Sequence, residues 1–325
     1  MAKFIVPTEA SIHTSFSFLE KNSFFDNAND NAILEFNPFY MHLEPIGLAM
    51  ISAWGAWCRR HGKQITANNL SKRTDYAARM KLFQQLGIDY THEVNEHEEI
   101  GRFMPLRNVR NQDDIRSVIA DVSALLHLGE NPDSLAAVQY CLSELLRNVI
   151  EHSGSPEGAF VCAHNYTGKG PHRVTLAVAD CGCGITQHLG RKFEEIKNDD
   201  ITALQMAMMP GITGVIPGMY GTSDNAGAGL FITRCIAKGT GGYFEIISGK
   251  AAYRLRRTQL NNQAVLFNDP FFERCDVWDL TNPWQGTVVT IEIKTEMIND
   301  FESYFGWIKE QIPPRVPSQK RIIFT

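Results

Sequence analysis

Between positions 143 and 153, three polar residues are spaced four residues apart, and their side chains together could bind a metal ion and a phosphate. Glu144, Asn148 and His152 stand at i, i+4 and i+8, so in a helix they share one face. An amide oxygen such as that of Asn148 can ligate Mg²⁺, which prefers oxygen ligands. A carboxylate such as that of Glu144 can orient or deprotonate a nucleophile. Alone, such a stripe is more often a solvated helix face.

A second candidate site follows a short apolar run. Residues 174–179 predict a buried strand, and Asp180 then opens an Asp-x-Gly-x-Gly-Ile sequence that ends at Ile185. A carboxylate at the end of a strand can accept a hydrogen bond from an adenine amino group. Gly182 and Gly184 allow the backbone to turn sharply and to approach a ligand closely. By itself the sequence would also fit an ordinary strand-to-loop turn.

A third candidate is the glycine-rich segment 221–230, GTSDNAGAGL, which precedes an apolar-periodic helix from Leu230 to Lys238. A glycine loop that leads into a helix presents free N–H groups and the positive end of the helix dipole to phosphates. The segment is not the G-x-x-x-x-G-K-[ST] phosphate loop. No strand immediately precedes it, so it is not a dinucleotide-binding fingerprint either.

The elements that must position these residues continue to the end of the chain. Gly286 and Thr287 open an alternating run up to Ile293, which predicts a strand in a half-covered sheet. Residues 243–248 predict its antiparallel partner, and residues 301–312 predict an amphipathic helix. Residues 251–282 form a long insertion that could dock a partner, although packing against the domain is the safer interpretation.

From about residue 105 to 300, the order of these motifs resembles the GHKL ATPase superfamily, which includes gyrase and the histidine kinases. The resemblance implies an α/β (α+β) fold, in which a C-terminal α/β sandwich has a mixed sheet covered by helices on one face. It implies Mg-ATP as the ligand, with Asn148 on Mg²⁺ and Glu144 as general base. The other nucleotide-binding residues that it implies are His152, Asp180, Gly182, Gly184, Ile185, Gly221, Thr222, Gly227, Ala228, Gly229, Leu230 and Thr287.

The same resemblance assigns a role to several of these residues. Asp180 would bind the adenine amino group, and Thr287 would support the adenine through a water molecule. Gly182 and Gly184 would shape the adenine pocket, whereas Gly227 and Gly229 would border the phosphates. The segment 191–223 would be a mobile lid over ATP. His152 either faces a phosphate or simply packs beside its helix.

The first part of the chain predicts a separate small α/β unit. A strand at 32–36, a helix from Pro45 to about Arg60, a strand at 64–67 and a helix at 76–86 follow one another at short spacing. Gly62 and Gly87 are the expected helix stops. The polar segment 95–101 is the expected linker, so the predicted domains are 1–100 and 101–325.

This order resembles the STAS domain of anti-sigma-factor antagonists, over roughly the first ninety residues. The stretches that carry the resemblance are ILEFNPFYMHLEPIGLAMISAWGAWCRRHGKQITANNL and ARMKLFQQLGI. In that family a phosphorylated serine usually opens the first long helix. Here Glu44 and Pro45 occupy that place, which argues against phosphorylation at this point.

Composition narrows the class of protein. The hydrophobic fraction of the 325 residues is 44%, which is ordinary for a globular protein. Their net charge of -5 argues against general electrostatic binding of nucleic acid. The most apolar run, residues 46–57, is shorter than the about 20 residues that cross a bilayer. Seven irregularly spaced cysteines fit a reducing cytoplasm, and the Cys181–Cys183 pair lacks a second pair for zinc.

Three functions compete for such a chain. A sensor histidine kinase needs an acceptor histidine on a dimerising hairpin, and the helix before the site holds only His127. An anti-sigma-type serine/threonine kinase fits the STAS-like unit but needs a hydroxyl acceptor on a partner protein. We favour a regulatory ATPase that acts as an ATP-driven switch. The expected partners are ATP, an unidentified protein bound through the STAS-like unit, and a second copy in a homodimer.

Overall fold

The computed structural model describes most of the chain, namely residues 2–11, 13–25, 31–92, 94, 102–125, 131–168, 171–212, 227–257, 265–298 and 300–312. Among the sequence predictions, His127, Gly221, Thr222 and the whole of the expected linker lie outside these residues. None of the described helices combines the length and the apolar character that a membrane span requires.

The first part of the chain alternates strands and helices, as predicted, and its three longer strands form a parallel sheet. In chain order its elements are β1 (Ala2–Ile5), β2 (Glu9–Ala10), α1 (Ser15–Lys21), β3 (Ala32–Glu35), β4 (His42–Leu43), α2 (Pro45–Arg60), β5 (Ile65–Asn68), α3 (Asp75–Arg79) and α4 (Leu82–Leu86). The three longer strands pair in the order β1–β3–β5, and both pairings are parallel. β2 and β4 form a second, short parallel pair.

Helix α2 is the central element of this part. Pro45 is its first residue, where a missing N–H does no harm, and Gly62 follows its end at φ +71°. Every residue from Pro45 to Cys58 is buried. A helix that is apolar on all sides must be covered on all sides, so the sequence of α2 requires protein on both of its faces.

The helix predicted at 76–86 is interrupted in the middle. α3 ends at Arg79, Lys81 adopts a left-handed conformation at φ +62°, and α4 begins at Leu82. The interruption frees the carbonyl of Met80, which accepts a hydrogen bond from the N–H of Leu106 at 3.1 Å. A contact with a distant strand therefore overrides the local helical periodicity.

The second part contains a five-stranded sheet and six helices in the described residues. In chain order its elements are β6 (Phe103–Val109), α5 (Gln112–Leu125), α6 (Pro132–Asn148), β7 (Ala159–Tyr166), β8 (Arg173–Ala179), α7 (Gly184–Leu189), α8 (Asp200–Ala207), α9 (Gly229–Gly239), β9 (Tyr243–Leu255), β10 (Cys275–Lys294) and α10 (Phe301–Glu310). The strand order is β6–β7–β8–β10–β9, and the four pairings are antiparallel. The chain thus has the expected α/β (α+β) fold. The five-stranded sheet was expected to be mixed, but its described pairings are antiparallel, and the parallel pairings lie in the sheets of the first part of the chain.

Both faces of the five-stranded sheet are covered. Val161 and Val178 point to one face, where they join a core with α5, α6 and α9, as the resemblance predicts. Phe160 and Ala177 point to the other face, where they join a core with α2. The sequence did not predict this second layer, because the pattern of α2 shows that the helix is covered without showing by what.

Residues 251–255 and 275–282 of the long insertion 251–282 belong to strands β9 and β10. Residues 251–255 of β9 pair with 275–279 of β10, so the hairpin runs on beyond the sheet core. On its surface, Trp278 packs against Phe16 at a ring distance of 4.0 Å, and Arg254 lies over the Phe16 ring. The described part of the insertion therefore packs against the first part of the chain, and not only against the domain that the safer interpretation named.

Candidate functional site

The carboxyl of Asp180 lies at the end of β8 and is 1% exposed. Its Oδ1 accepts a hydrogen bond from the N–H of Gly182 at 2.7 Å. Its Oδ2 is buried and has no hydrogen-bond partner among the described residues. Burial raises the pKa of this carboxyl to about 7, and the backbone N–H groups of Gly182 and Thr287 act in the opposite direction. An acceptor of this kind is suited to a donor from a ligand.

The turn after Asp180 is fastened to the end of the helix that carries Glu144 and Asn148. The N–H of Cys183 donates to the carbonyl of Ser153 at 2.7 Å. A Cβ added to Gly182 would lie 2.3 Å from the same carbonyl oxygen, so only glycine permits this close approach. The first two sequence motifs, which lie far apart in the chain, are therefore in direct contact.

The Gly-Thr pair is the second support of Asp180. The N–H of Asp180 donates to the carbonyl of Thr287 at 2.9 Å. Gly286 has φ +92°, and a Cβ there would meet the carbonyl oxygen of Asp180 at 2.4 Å. Strand β10 thus brings Gly286 and Thr287 beside Asp180, where the resemblance places them.

The turn at Gly184 is held from β9. Ser248 accepts a hydrogen bond from the N–H of Ile185 at 2.9 Å and donates one to the carbonyl of Gly286 at 2.8 Å. A Cβ added to Gly184 would lie 3.0 Å from the same hydroxyl. Ser248 therefore joins the Asp180 turn to the Gly-Thr strand.

Helix α6 changes its geometry inside the site. It is α-helical to Asn148 and continues as a π-helical turn from Val149 to Ser153. A π turn adds a residue to the helical repeat and often occurs at functional sites. His152 therefore does not continue the straight face that its spacing from Glu144 predicts.

The imidazole of His152 contacts another histidine. Its ring centroid lies 4.7 Å from that of His188 in α7. Burial lowers the pKa of His188 to about 4, with further lowering by His152 and Arg191. This pair lies beside the Asp180 turn, because the thiol of Cys183 donates to the carbonyl of His152 at 3.5 Å.

Glu144 lies against the start of α9. Its side chain is 13% exposed and pairs with Arg147 at 3.3 Å. Burial raises the pKa of Glu144; Arg147 opposes that rise and Glu151 adds to it. A Cβ added to Gly229, the first residue of α9, would lie 2.5 Å from Oε2 of Glu144. The candidate general base and the candidate phosphate-binding glycine are therefore neighbours.

Asn148 lies one turn further along α6. Its side chain is partly buried, and among the described residues it makes no hydrogen bond. Throughout the described residues, no group of three or more His, Cys, Asp or Glu side chains is arranged to hold a metal ion. A Mg²⁺ ion bound with a nucleotide needs only one or two protein ligands, because phosphates and water supply the rest.

The predicted lid, residues 191–223, is described as far as residue 212, and helix α8 lies within it. The N–H of Gly211 donates to the carbonyl of Gly227 at 3.0 Å, so two described residues from either side of the lid's undescribed part are in direct contact. Ala228 is buried and Leu230 is partly buried at the start of α9. Of the predicted nucleotide-binding residues, Gly221 and Thr222 are the two that lie outside the described part of the chain.

Two contributors were missed by sequence reasoning. Ser248 pairs with Thr287 across β9 and β10, so the strand register could have indicated it. Trp284 donates its indole N–H to the carbonyl of Asp180 at 3.0 Å, and no sequence signal marks it.

Comparison of the chain with protein-family models, with curated proteins and with solved structures finds no match. The geometry of the candidate site and the order of its motifs are therefore the features that indicate a function.

Proposed function

We propose that this protein binds Mg-ATP at the site formed by α6, the Asp180 turn, the start of α9 and the Gly-Thr strand. We further propose that it is a regulatory ATPase of the GHKL class that acts as an ATP-driven switch. The observation that carries the proposal is the unpartnered, buried Oδ2 of Asp180. A buried polar atom without a partner is destabilising, and the N–H of an adenine amino group would satisfy it.

The phosphate end of the proposed site is supported by different residues. The N-terminus of α9 begins at Gly229 and offers backbone N–H groups and a positive dipole end to phosphates. Asn148 has an amide oxygen of the type that Mg²⁺ binds, and the bound ion would neutralise phosphate charge. Glu144, beside Gly229, would orient or deprotonate the attacking water.

The way in which the candidate site is built supports the proposed switch. The Asp180 turn and the ends of the lid belong to different elements, and a nucleotide that touches both would favour one arrangement of them. A partner protein responds only if it binds the nucleotide-bound and free states unequally. The STAS-like part of the chain is the proposed route to such a partner, because it packs directly on the sheet that holds the site.

Titration calorimetry of ATP in the presence of Mg²⁺ tests the proposal. We expect binding by the wild type and a loss of at least about tenfold in affinity for Asp180→Asn, whose amide places an N–H donor where an acceptor is needed. Asp279→Asn is the matched control, because Asp279 is exposed on the distal part of the hairpin. Absence of ATP binding by the wild type would refute the proposal.

The kinase alternative is separated by a labelling experiment. The full chain is incubated with ATP labelled on the γ-phosphate and with proteins that copurify with it. Free phosphate as the sole labelled product supports the switch. Acid-stable label on a partner protein would instead favour the anti-sigma-type serine/threonine kinase, in which the partner supplies the hydroxyl that is missing at Glu44 and Pro45.

A further inference from the structure

Trp284 connects the candidate adenine site with the first part of the chain. Its side chain is 0% exposed, and its indole N–H donates to the carbonyl of Asp180 at 3.0 Å. The same ring makes edge-to-face contacts with Phe24 and Phe25, at centroid distances of 5.6 and 5.1 Å. One side chain therefore touches both the backbone of Asp180 and the packing layer behind the sheet.

The two phenylalanines are themselves fixed by α2. The carbonyl of Phe24 accepts a hydrogen bond from the indole N–H of Trp54 at 2.8 Å. The ring of Phe25 meets the ring of Trp57 edge to face at 5.1 Å. The aromatic group behind Asp180 is thus continuous from β10 to the central helix of the STAS-like part.

The strand around Trp284 is irregular in a way that suits a positioning role. The pairing of β10 with β9 shifts register between Asp279 and Trp284, and again between Trp284 and Thr287. Bulges of this kind re-aim side chains and are frequent beside active sites. Here the shift accompanies an indole that reaches back to the Asp180 carbonyl on the neighbouring strand.

We propose that Trp284 is a positioning residue that makes adenine selection by Asp180 depend on the packing of the first part of the chain. The inference rests on the proposed function. Asp180 is held on both sides, because its N–H is bound by Thr287 and its carbonyl by Trp284. Hydrogen bonds weaken steeply when their geometry is lost. A small displacement of this backbone therefore moves the carboxyl away from the adenine amino group.

The central experiment compares the dissociation constants of ATP and GTP for the full chain and for Trp284→Phe. Phenylalanine keeps an aromatic ring but removes the N–H donor. Guanine carries a carbonyl oxygen where adenine carries an amino group, so GTP does not use the Asp180 acceptor in the same way. We expect ATP affinity to fall by roughly three- to tenfold, as for one lost hydrogen bond, and GTP affinity to change less.

A buried indole N–H needs a hydrogen-bond acceptor in any protein, so the measurement must separate a positioning role of Trp284 from simple filling of the core. The ratio of ATP affinity to GTP affinity does so, because a loosened core weakens both nucleotides equally. Trp278→Phe is the matched control, since Trp278 is on the same strand and packs on Phe16. Its ratio should equal that of the wild type.

Phe25→Leu tests the dependence on the first part of the chain. It keeps the N–H of Trp284 but removes the edge-to-face contacts with Trp284 and Trp57, so the ratio should fall in the same direction by a smaller factor. If Trp284→Phe does not fold, the ratio of ATP affinity to GTP affinity in Phe25→Leu tests the inference instead. An unchanged ratio, or equal losses for both nucleotides, would overturn the inference while the proposed function stands. A wild type that binds no ATP would overturn both.

Discussion

The carboxyl of Asp180 makes the stability of the unliganded protein depend on pH. Burial raises its pKa from 3.8 to about 7, so between these values the folded state binds the proton more tightly than the unfolded state does. The free energy of unfolding should therefore fall as pH rises through this window, by at most about 4 kcal/mol from this group. Above pH 7 the group makes no further change.

Urea unfolding without nucleotide, at several pH values from 4 to 8, measures this effect. Burial also raises the pKa of Glu245 to about 7, so the wild type alone does not isolate Asp180. Asp180→Asn removes the titration of Asp180 and leaves that of Glu245, and its stability should fall less steeply with pH. Equal pH dependence in both proteins would contradict the prediction.

Glu144 should matter for turnover and little for binding. Glu144→Ala removes the proposed base and leaves Arg147 its second partner, Glu151, at 3.5 Å. We expect phosphate release to fall by about 100-fold or more, and ATP affinity to stay within about threefold. Glu151→Ala is the matched control, because it removes the other partner of Arg147 from the same helix. Equal phosphate release by wild type and Glu144→Ala would exclude the assigned role.

At this scale the sequence indicates part of the candidate site. The Glu-x-x-x-Asn and Asp-x-Gly-x-Gly spacings locate Glu144, Asn148 and Asp180, because each is a local pattern. Trp284 could not be predicted in the same way. Its contact with Asp180 depends on a register shift in β10, and such shifts leave no mark in residue type or period.

Among the elements, the sequence predicted regular helices and strands better than their interruptions. The strand at β3, the helix α2 and the pairing of residues 243–248 with β10 are confirmed. The break at Met80 and the π turn after Asn148 were not predicted. The carbonyl of Met80 bonds to β6, and the end of the π turn bonds to Cys183, so the causes lie in distant residues.

A buried ion cluster fixes the long hairpin to α9. The side chain of Glu273 is 1% exposed, and it pairs with Arg234 at 3.0 Å and with Lys238. Arg234 also donates to the carbonyl of Phe267 at 2.6 Å. This cluster holds the segment between β9 and β10 on the helix whose first residue, Gly229, borders the proposed phosphate site.

Glu273→Ala should therefore be strongly destabilising, because it leaves two buried cations without their shared partner. We expect a loss of about 3–5 kcal/mol in the free energy of unfolding. Asp276→Ala breaks the more exposed pair with Arg256, which water and salt screen, and it should therefore destabilise the protein much less than Glu273→Ala. Urea unfolding of the three proteins is the measurement. Similar losses for both variants would show that the cluster does not stabilise the fold.

For the whole molecule, the two parts of the chain share a core. α2 lies between the three-stranded sheet and the five-stranded sheet, and one continuous apolar cluster includes residues from both. At its margin, Glu245 of β9 accepts hydrogen bonds from Ser15 at 2.5 Å and from Arg254 at 2.8 Å. The division at residue 100 stays a prediction about the chain. If the proposed ATP switch exists, it would have to act on a partner through surfaces other than those of the buried helix α2.

A shared core predicts that the protein unfolds as one unit. Trp54 and Trp57 report on the first part and Trp278 on the hairpin, so tryptophan fluorescence and far-ultraviolet circular dichroism should give coincident urea transitions.

A truncated chain of residues 102–325 would expose the sheet face that α2 covers, including Phe160 and Ala177. We expect this fragment to aggregate or to lack cooperative unfolding. Two separate transitions in the full chain, or a monomeric fragment with a cooperative transition of its own, would show that the parts are independent domains. The second part could then bind nucleotide without the packing layer behind Asp180.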